Sequence, residues 1–219
     1  MTNNLDRVEL SLVGRKRSER LFKFYGFLGI LIAFLFLITI LYSVISQGQK
    51  AFFTTFIKVN IFFDSEIIDP QNQRNDEDIR YANFNKIITE SLKKKFPENL
   101  NKNDSKELSS FISSSEADYL SEFVVKNKDY IGKYKNMWLL ASSNIDVIVK
   151  NPEMEDLDEE DRLISDKQLG WLNQIRLNKE LKKELNKNFF TKADSTEPEQ
   201  AGIWGSLVGS FLTLLITLV

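Results

Sequence analysis

The sequence contains no cysteine and no histidine among its 219 residues. Without cysteine the chain has no disulfide, no thiol nucleophile and no thiolate metal site. Without histidine it lacks the commonest general base and the commonest transition-metal ligand. The formal net charge of −2 gives no basic footprint for a nucleic acid. Nucleic acid is therefore not expected as a partner.

Glycine is scarce, and the nine glycines form no phosphate-binding loop. Gly132 and Lys133 resemble the end of a P-loop, but Asn127 stands where the first glycine is required. Tyr134 stands where the motif requires serine or threonine. Any ATP hydrolysis linked to this protein is therefore expected in another chain.

An acidic segment has the alternating spacing of a calcium-binding EF-hand loop at Asp156, Asp158 and Glu160. Asp161 replaces the required glycine, and Lys167 replaces the final glutamate. An acidic helix start explains the segment better. We expect no metal site, no cofactor-binding site and no catalytic site, and thus no enzyme.

The first long apolar run covers residues 24–46 and contains no charge. A helix of this length exceeds the roughly 30 Å hydrocarbon core of a bilayer. Tyr25 and Tyr42 lie near its ends, where amphipathic rings favour the membrane interface. The run predicts a transmembrane helix. A cleaved signal peptide is the alternative, since residues 46–48 offer small side chains at a cleavage-like spacing.

Basic residues flank this run unequally. Six precede it: Arg7, Arg15, Lys16, Arg17, Arg20 and Lys23. Only Lys50 and Lys58 follow closely. Positive charge stays on the cytoplasmic side, so residues 1–23 are expected inside and residues 47–200 outside. A nucleic-acid or localisation patch is the alternative interpretation of the basic segment.

The segment between the two apolar runs predicts an α+β domain. Alternating apolar side chains at Ile57, Val59, Ile61 and Phe63 predict a half-buried strand over 55–63. The other predicted elements are helices over 75–96, 105–113 and 116–130, a second strand over 137–149, and an acidic turn plus helix over 156–190. Trp138 and Trp171 are candidates for the core.

The second apolar run covers residues 201–219 and is also uncharged. Ser195 or Thr196 can cap a helix whose first turn contains Pro198. We expect that helix to continue through the run as a second transmembrane helix. Nineteen residues reach about 28 Å, barely a span, and no polar residue follows. The chain is therefore expected to be the front end of a longer protein.

Small residues recur in this second run. Gly205 and Gly209 form a G-x-x-x-G pattern, and Gly202 adds to it. Small residues at this spacing allow membrane helices to pack closely. The three glycines are candidates for helix packing, and a chance spacing stays open.

A family resemblance is carried by the junction between the domain and the second run. The pattern F-F-x-x-x-D-S-x-x-P-E-x-A-G-I-x-G, at residues 189–205, resembles PstA-type permeases of the bacterial phosphate ABC transporter. The similar subgroup has a long uncharacterised N-terminal extension. Further similar stretches are "AFFTTFIKVNIFFDSEIIDP", "WLLASSNIDV" and "DRLISDKQLGWLNQI".

The resemblance implies a permease subunit of an ATP-driven phosphate import complex in the bacterial inner membrane. Besides membrane lipid, the implied partners are a second permease subunit, ATPase subunits and a periplasmic phosphate-binding protein. The phosphate path would lie beyond Val219, so no substrate-binding residue is assigned. The residues themselves predict an extracytoplasmic α+β domain flanked by two transmembrane helices. The alternative function is a membrane-anchored extracytoplasmic sensor or adaptor.

Overall fold

The computed structural model describes residues 4–96 and 100–218. The chain forms two compact units, residues 1–50 and residues 51–219. The first unit contains helix α1, Asn4–Gly48. Within it, an 18-residue window of the segment from Ser18 onward has a mean hydropathy of 2.8, and no residue of that window is buried. By length and composition this helix can cross a membrane, which agrees with the prediction of an apolar helix over 24–46.

The second unit contains a three-stranded antiparallel sheet. Its strands are β1, Phe53–Phe62, β2, Tyr134–Leu140, and β3, Leu181–Leu185. The order is β2-β1-β3, so β1 is central. The first residue of β1 pairs with the last residue of β3. The chain therefore enters β1 and leaves β3 at the same end of the sheet.

Nine helices of the second unit are seen in the described residues. They are α2, Ser65–Ile68; α3, Asp76–Tyr81; α4, Phe84–Lys95; α5, Lys102–Ser109; α6, Glu116–Lys126; α7, Ser143–Lys150; α8, Asp166–Leu177; α9, Lys187–Thr191; and α10, Trp204–Thr217. Short 3₁₀ turns occur at Gln49–Phe52, Lys128–Tyr130, Pro152–Asp156, Glu159–Asp161 and Pro198–Gln200. The α+β fold class is confirmed.

One face of the sheet lies on the core. The predicted alternation in β1 is confirmed, because Ile57, Val59 and Ile61 are buried. The inner faces of the helices pack with them, and Trp171 of α8 is only 1% exposed. Its ring lies 5.6 Å from that of Phe96. Burial of this apolar surface stabilises the domain.

Three predicted elements are divided in the structure. The acidic turn and helix predicted over 156–190 contain α8, β3 and α9. The helix predicted over 75–96 is α3 and α4, separated because Asn83 caps α4 by accepting the Lys86 backbone N–H at 3.0 Å. The strand predicted over 137–149 ends at Leu140. Residues 143–150 form α7 instead, which buries Ile145, Ile148 and Val149 at helical spacing.

The predicted helix over the last part of the chain begins later than expected. Pro198 lies in a short 3₁₀ turn, the backbone is extended at Ala201, and α10 begins at Trp204. The 14 residues of α10 reach about 21 Å. This is less than a bilayer core of about 30 Å, so a second transmembrane helix stays a prediction.

Candidate functional site

A cavity of about 440 Å³ lies beside the N-terminal end of α10. We call it the α10 pocket. Its walls come from the start of β1, one face of α7, the residue that caps α9, and the loop that leads into α10. All these segments belong to the second unit. The polar groups that line it include the side chains of Thr54, Asp146, Lys150 and Glu199.

Asp146 fixes one wall of the α10 pocket. Its Oδ1 atom accepts the backbone N–H of Thr55 at 2.9 Å, which ties α7 to β1. Its Oδ2 atom accepts a hydrogen bond from the Lys150 ammonium, one helical turn later. Both side chains are about nine-tenths buried. Each oxygen of Asp146 therefore has a hydrogen-bond donor within the domain.

Glu199 and Thr54 bring unsatisfied polar atoms to the same wall. Glu199 is 6% exposed and Thr54 is 5% exposed. In the part of the chain that the structure describes, Glu199 Oε2 and Thr54 Oγ1 have no hydrogen-bond partner. A buried carboxylate oxygen without a donor is costly. Both atoms are shielded from solvent, so they reach the cavity only when the side chains that line it turn.

The loop that closes the pocket is held by backbone hydrogen bonds. Gly202 donates to the carbonyl of Ala193 at 2.9 Å. Asn186 caps α9 by accepting the N–H of Phe189 at 3.1 Å. The ring of Phe52 lies 5.5 Å from that of Phe189. These contacts pack the junction motif onto the start of β1.

The three candidate packing glycines have different surroundings. A Cβ on Gly202 would lie 2.1 Å from the Lys192 carbonyl oxygen, so this glycine permits a close approach of two backbones. A Cβ on Gly205 would lie 3.2 Å from the Ala193 Cβ. A Cβ on Gly209 would meet no atom within 4 Å. Packing of these glycines against another membrane helix stays a prediction.

The acidic segment is organised by an arginine. Asp156 and Glu160 lie in two separate 3₁₀ turns, with Asp158 between them. The Arg162 side chain is 4% exposed, and its guanidinium donates to three carbonyl oxygens of residues 155–164. Among the described residues, no group of three or more acidic side chains is placed to hold a metal ion.

Glu116 is the carboxyl group with the most displaced pKa in the described part of the chain. Burial raises its pKa from 4.5 to about 7, and the Leu140 backbone and the Lys192 ammonium oppose that rise only in part. Glu116 is 8% exposed. This group changes charge near neutral pH, unlike an ordinary glutamate.

The outer face of the sheet carries aromatic rings beneath lysines. Lys182 Nζ lies 4.4 Å from the ring centre of Trp138 and 5.4 Å from that of Phe56. Lys94 lies over the rings of Phe62 and Tyr134. Trp138 is therefore half-buried on the outer face, whereas Trp171 lies in the core.

The sequence alone did not reveal the α10 pocket. Glu199 follows Pro198 in the segment predicted to begin the last helix, although it is buried in the pocket wall. Asp146 was placed within a predicted strand. The only sequence signal was the charged pair Asp146 and Lys150 at helical spacing in an apolar segment.

Comparison with known proteins gives one match. The family model described as "Domain of unknown function (DUF3333)" matches residues 9–159, well over half of the chain. No curated protein matches the chain, and no solved structure does. The match includes the apolar helix α1, the strands β1 and β2, and α7. The chain therefore belongs to the DUF3333 family.

Proposed function

We propose that the chain is the N-terminal part of a permease subunit in an ATP-driven phosphate import complex. The observation that carries this proposal is the junction motif at residues 189–205, which resembles the corresponding segment of PstA-type permeases. The motif covers 17 residues, of which it specifies ten. The apolar helix α1 agrees with a membrane location.

The contacts of the motif residues support the proposal, because they explain what the motif does locally. Phe189 and Phe190 pack on the ring of Phe52. Gly202 donates a backbone hydrogen bond to Ala193 in the preceding loop, and Ile203 donates one to Phe189 in α9. The motif thus fixes the start of α10 against the folded domain.

In the proposed topology, residues 1–23 are cytoplasmic and residues 24–46 cross the bacterial inner membrane. Residues 47–200 form the periplasmic domain, and residues 201–219 belong to a second membrane helix. The expected partners are a second permease subunit, ATPase subunits and a periplasmic phosphate-binding protein. Basic residues before the first span and few after it support this orientation.

The test uses the complete reading frame in its native membrane. A tagged subunit, purified in mild detergent, should bring down a second permease and an ATPase that are identified by mass spectrometry. Deletion of the reading frame should abolish high-affinity uptake of radiolabelled phosphate, and the intact frame should restore it. Vesicles that contain only the present chain should show no ATP-dependent uptake. Normal uptake in the deletion strain would refute the proposal.

A membrane-anchored sensor or adaptor is the second candidate function. The α10 pocket favours it, since a ligand-sized cavity in an extracytoplasmic domain is typical of receptors. Under this alternative, deletion leaves the rate of phosphate uptake unchanged and alters a cellular response instead. The same deletion strain therefore distinguishes the two functions.

A further inference from the structure

We propose that the α10 pocket binds a primary ammonium group carried on a short carbon chain. The proposal does not depend on phosphate transport, because it rests on the pocket alone. The pocket has the volume for a small organic group, at about 440 Å³. Its charge and its hydrogen-bonding groups define what that group must be.

The charges of the lining residues favour a cation. Asp146 and Glu199 bring two carboxylates, whereas Lys150 brings one ammonium group. Lys150 is already paired with Asp146, whose second oxygen accepts the Thr55 N–H. Glu199 is left without a counter-charge in the pocket, and its Oε2 atom has no donor among the described residues. An anionic ligand would be repelled by this carboxylate.

The hydrogen-bonding groups favour a cation with N–H bonds. The terminal torsion of a glutamate is soft, so the Glu199 carboxylate can turn toward the cavity at small cost. The hydroxyl of Thr54 is unpartnered, and Ser143 and Ser206 add two further hydroxyls to the lining. A primary ammonium group has three donors for such oxygens. A quaternary ammonium group has none.

The apolar walls favour a carbon chain over a bare metal ion. Val147, Phe189 and Ile203 line the cavity between the polar groups. Calcium takes six to eight oxygen ligands, and magnesium needs near-octahedral oxygen coordination. Apolar walls cannot supply such a shell, but they can cover the methylene groups of an alkylamine.

Two sources supply this chemistry. One is a free amine, and the other is the ethanolamine headgroup of a phospholipid. The pocket lies beside the first turn of α10, where Trp204 is 57% exposed. Tryptophan is enriched at the level of lipid headgroups. The shared chemistry is the primary ammonium group, and the experiment separates the two sources.

The experiment uses the full chain in lipid nanodiscs. One set contains phosphatidylcholine and phosphatidylglycerol, and the second replaces the choline lipid with phosphatidylethanolamine. Thermal unfolding is followed by tryptophan fluorescence, and retained lipids are identified by native mass spectrometry. Free ethanolamine and free choline are titrated into the first set. Stabilisation by phosphatidylethanolamine assigns the headgroup, and stabilisation by ethanolamine alone assigns a free amine.

Two variants and one control test whether a change in thermal stability arises from the α10 pocket. Glu199→Gln keeps the side-chain size and removes the charge, so it should weaken the apparent ethanolamine affinity, or the lipid effect, at least tenfold. Glu197→Gln is the matched control, since Glu197 does not line the pocket, and it should respond like the parent. Ser206 lies at an exposed position on α10, and Ser206→Leu narrows the cavity. This variant should abolish the stabilisation by ethanolamine or phosphatidylethanolamine.

The proposal is overturned by any of three results. The first is the absence of any response to ethanolamine and to phosphatidylethanolamine in the folded parent chain. The second is an equal response to the choline compounds, which lack N–H donors. The third is an unchanged response in Glu199→Gln. Circular dichroism of each variant before the titration establishes that the compared chains are folded.

Discussion

The backbone N–H of Ile203 donates to the carbonyl oxygen of Phe189 at 2.8 Å. This bond closes residues 189–203 into a loop whose two ends meet directly before α10. The loop carries Glu199 into the wall of the α10 pocket. The wall of the α10 pocket and the connection to α10 are therefore parts of one folded segment. Substitutions in this loop should affect both.

Gly202→Ala tests how tightly that loop is packed. The new Cβ would lie 2.1 Å from the Lys192 carbonyl oxygen and 2.6 Å from that of Asn188, so the backbone must shift. We expect a loss of about 1–3 kcal/mol or more in the free energy of unfolding. Urea unfolding of the full chain in detergent measures it. Gly209→Ala is the control, since its Cβ meets nothing, and it should be neutral or slightly stabilising.

The two tryptophans of the domain should differ strongly. Trp171→Ala removes a ring that lies fully in the core, between Phe96 and Phe111, and should cost about 3–5 kcal/mol. Trp171→Phe should cost much less, because the Trp171 Nε1 atom has no hydrogen-bond partner among the described residues. Trp138→Ala should cost about 1 kcal/mol, mainly its contact with Lys182. Equal losses for both alanine variants would contradict this placement.

Glu116 should make stability fall as the pH rises. Its pKa is about 7 in the folded chain and 4.5 in the ordinary state, so the folded chain binds more protons between these values. The free energy of unfolding then decreases from about pH 4.5 to pH 7. At about 1.4 kcal/mol per pKa unit, the loss is about 3 kcal/mol. Unfolding at pH 5 and pH 8 measures it, and Glu116→Gln should remove it.

Other displaced carboxyl groups do not obscure that measurement. Hydrogen bonds from Lys128, Lys167 and Arg162 lower the pKa values of Asp76, Asp104 and Asp166, respectively. Their contributions to stability are present above the ordinary value of 3.8 and are lost only as the pH falls below it. A pH dependence between 5 and 8 that persists in Glu116→Gln would show that another group is responsible.

The orientation of the domain is tested by reporter fusions. Because basic residues precede the first apolar run, alkaline phosphatase fused after residue 103 should be active, and a fluorescent protein exported in unfolded form should be dark. Replacing Arg15, Lys16 and Arg17 by glutamine should weaken this preference. A fluorescent fusion with an inactive phosphatase would place the domain in the cytoplasm.

The elements with the strongest local patterns could be predicted from the sequence. From Thr55 to Phe62, β1 alternates between buried and outer side chains, as a strand on a core does. The apolar run in α1 is equally clear. Composition and hydrophobic period suffice to predict such elements, because all the residues on one face lie in the same environment.

The prediction for the α7 segment was wrong because residue preference and period conflict. The segment of α7 is rich in valine and isoleucine, which favour strands. Its buried positions nevertheless follow helical spacing. Asp146 is also buried, because its carboxylate accepts a hydrogen bond from the backbone N–H of Thr55, which is 91 residues away. The sequence around Asp146 does not indicate that Thr55 is its hydrogen-bond partner. The sequence therefore predicted a strand through residues that pack as a helix.

β3 was missed for a related reason. Its sequence, Leu-Lys-Lys-Glu-Leu, has no apolar alternation and continues the charged pattern of α8. It becomes a strand only because β1 offers a free edge for pairing. Lysines on such an edge also discourage further pairing with other chains. The α10 pocket was unpredictable in the same way, since β1, α7 and the junction loop meet only in the folded domain.

The pairing of Phe53 with Leu185 has a mechanical consequence. The chain enters β1 at Phe53 and leaves β3 at Leu185, and these two residues are paired. A force that pulls Phe53 and Leu185 apart therefore acts perpendicular to the strands and not along them. The hydrogen bonds between β1 and β3 would then break one after another, beginning at Phe53. A sheet loaded in this direction yields at low force. Lateral movement of the segments attached to its ends would detach β3 first and leave the β1–β2 ladder in place.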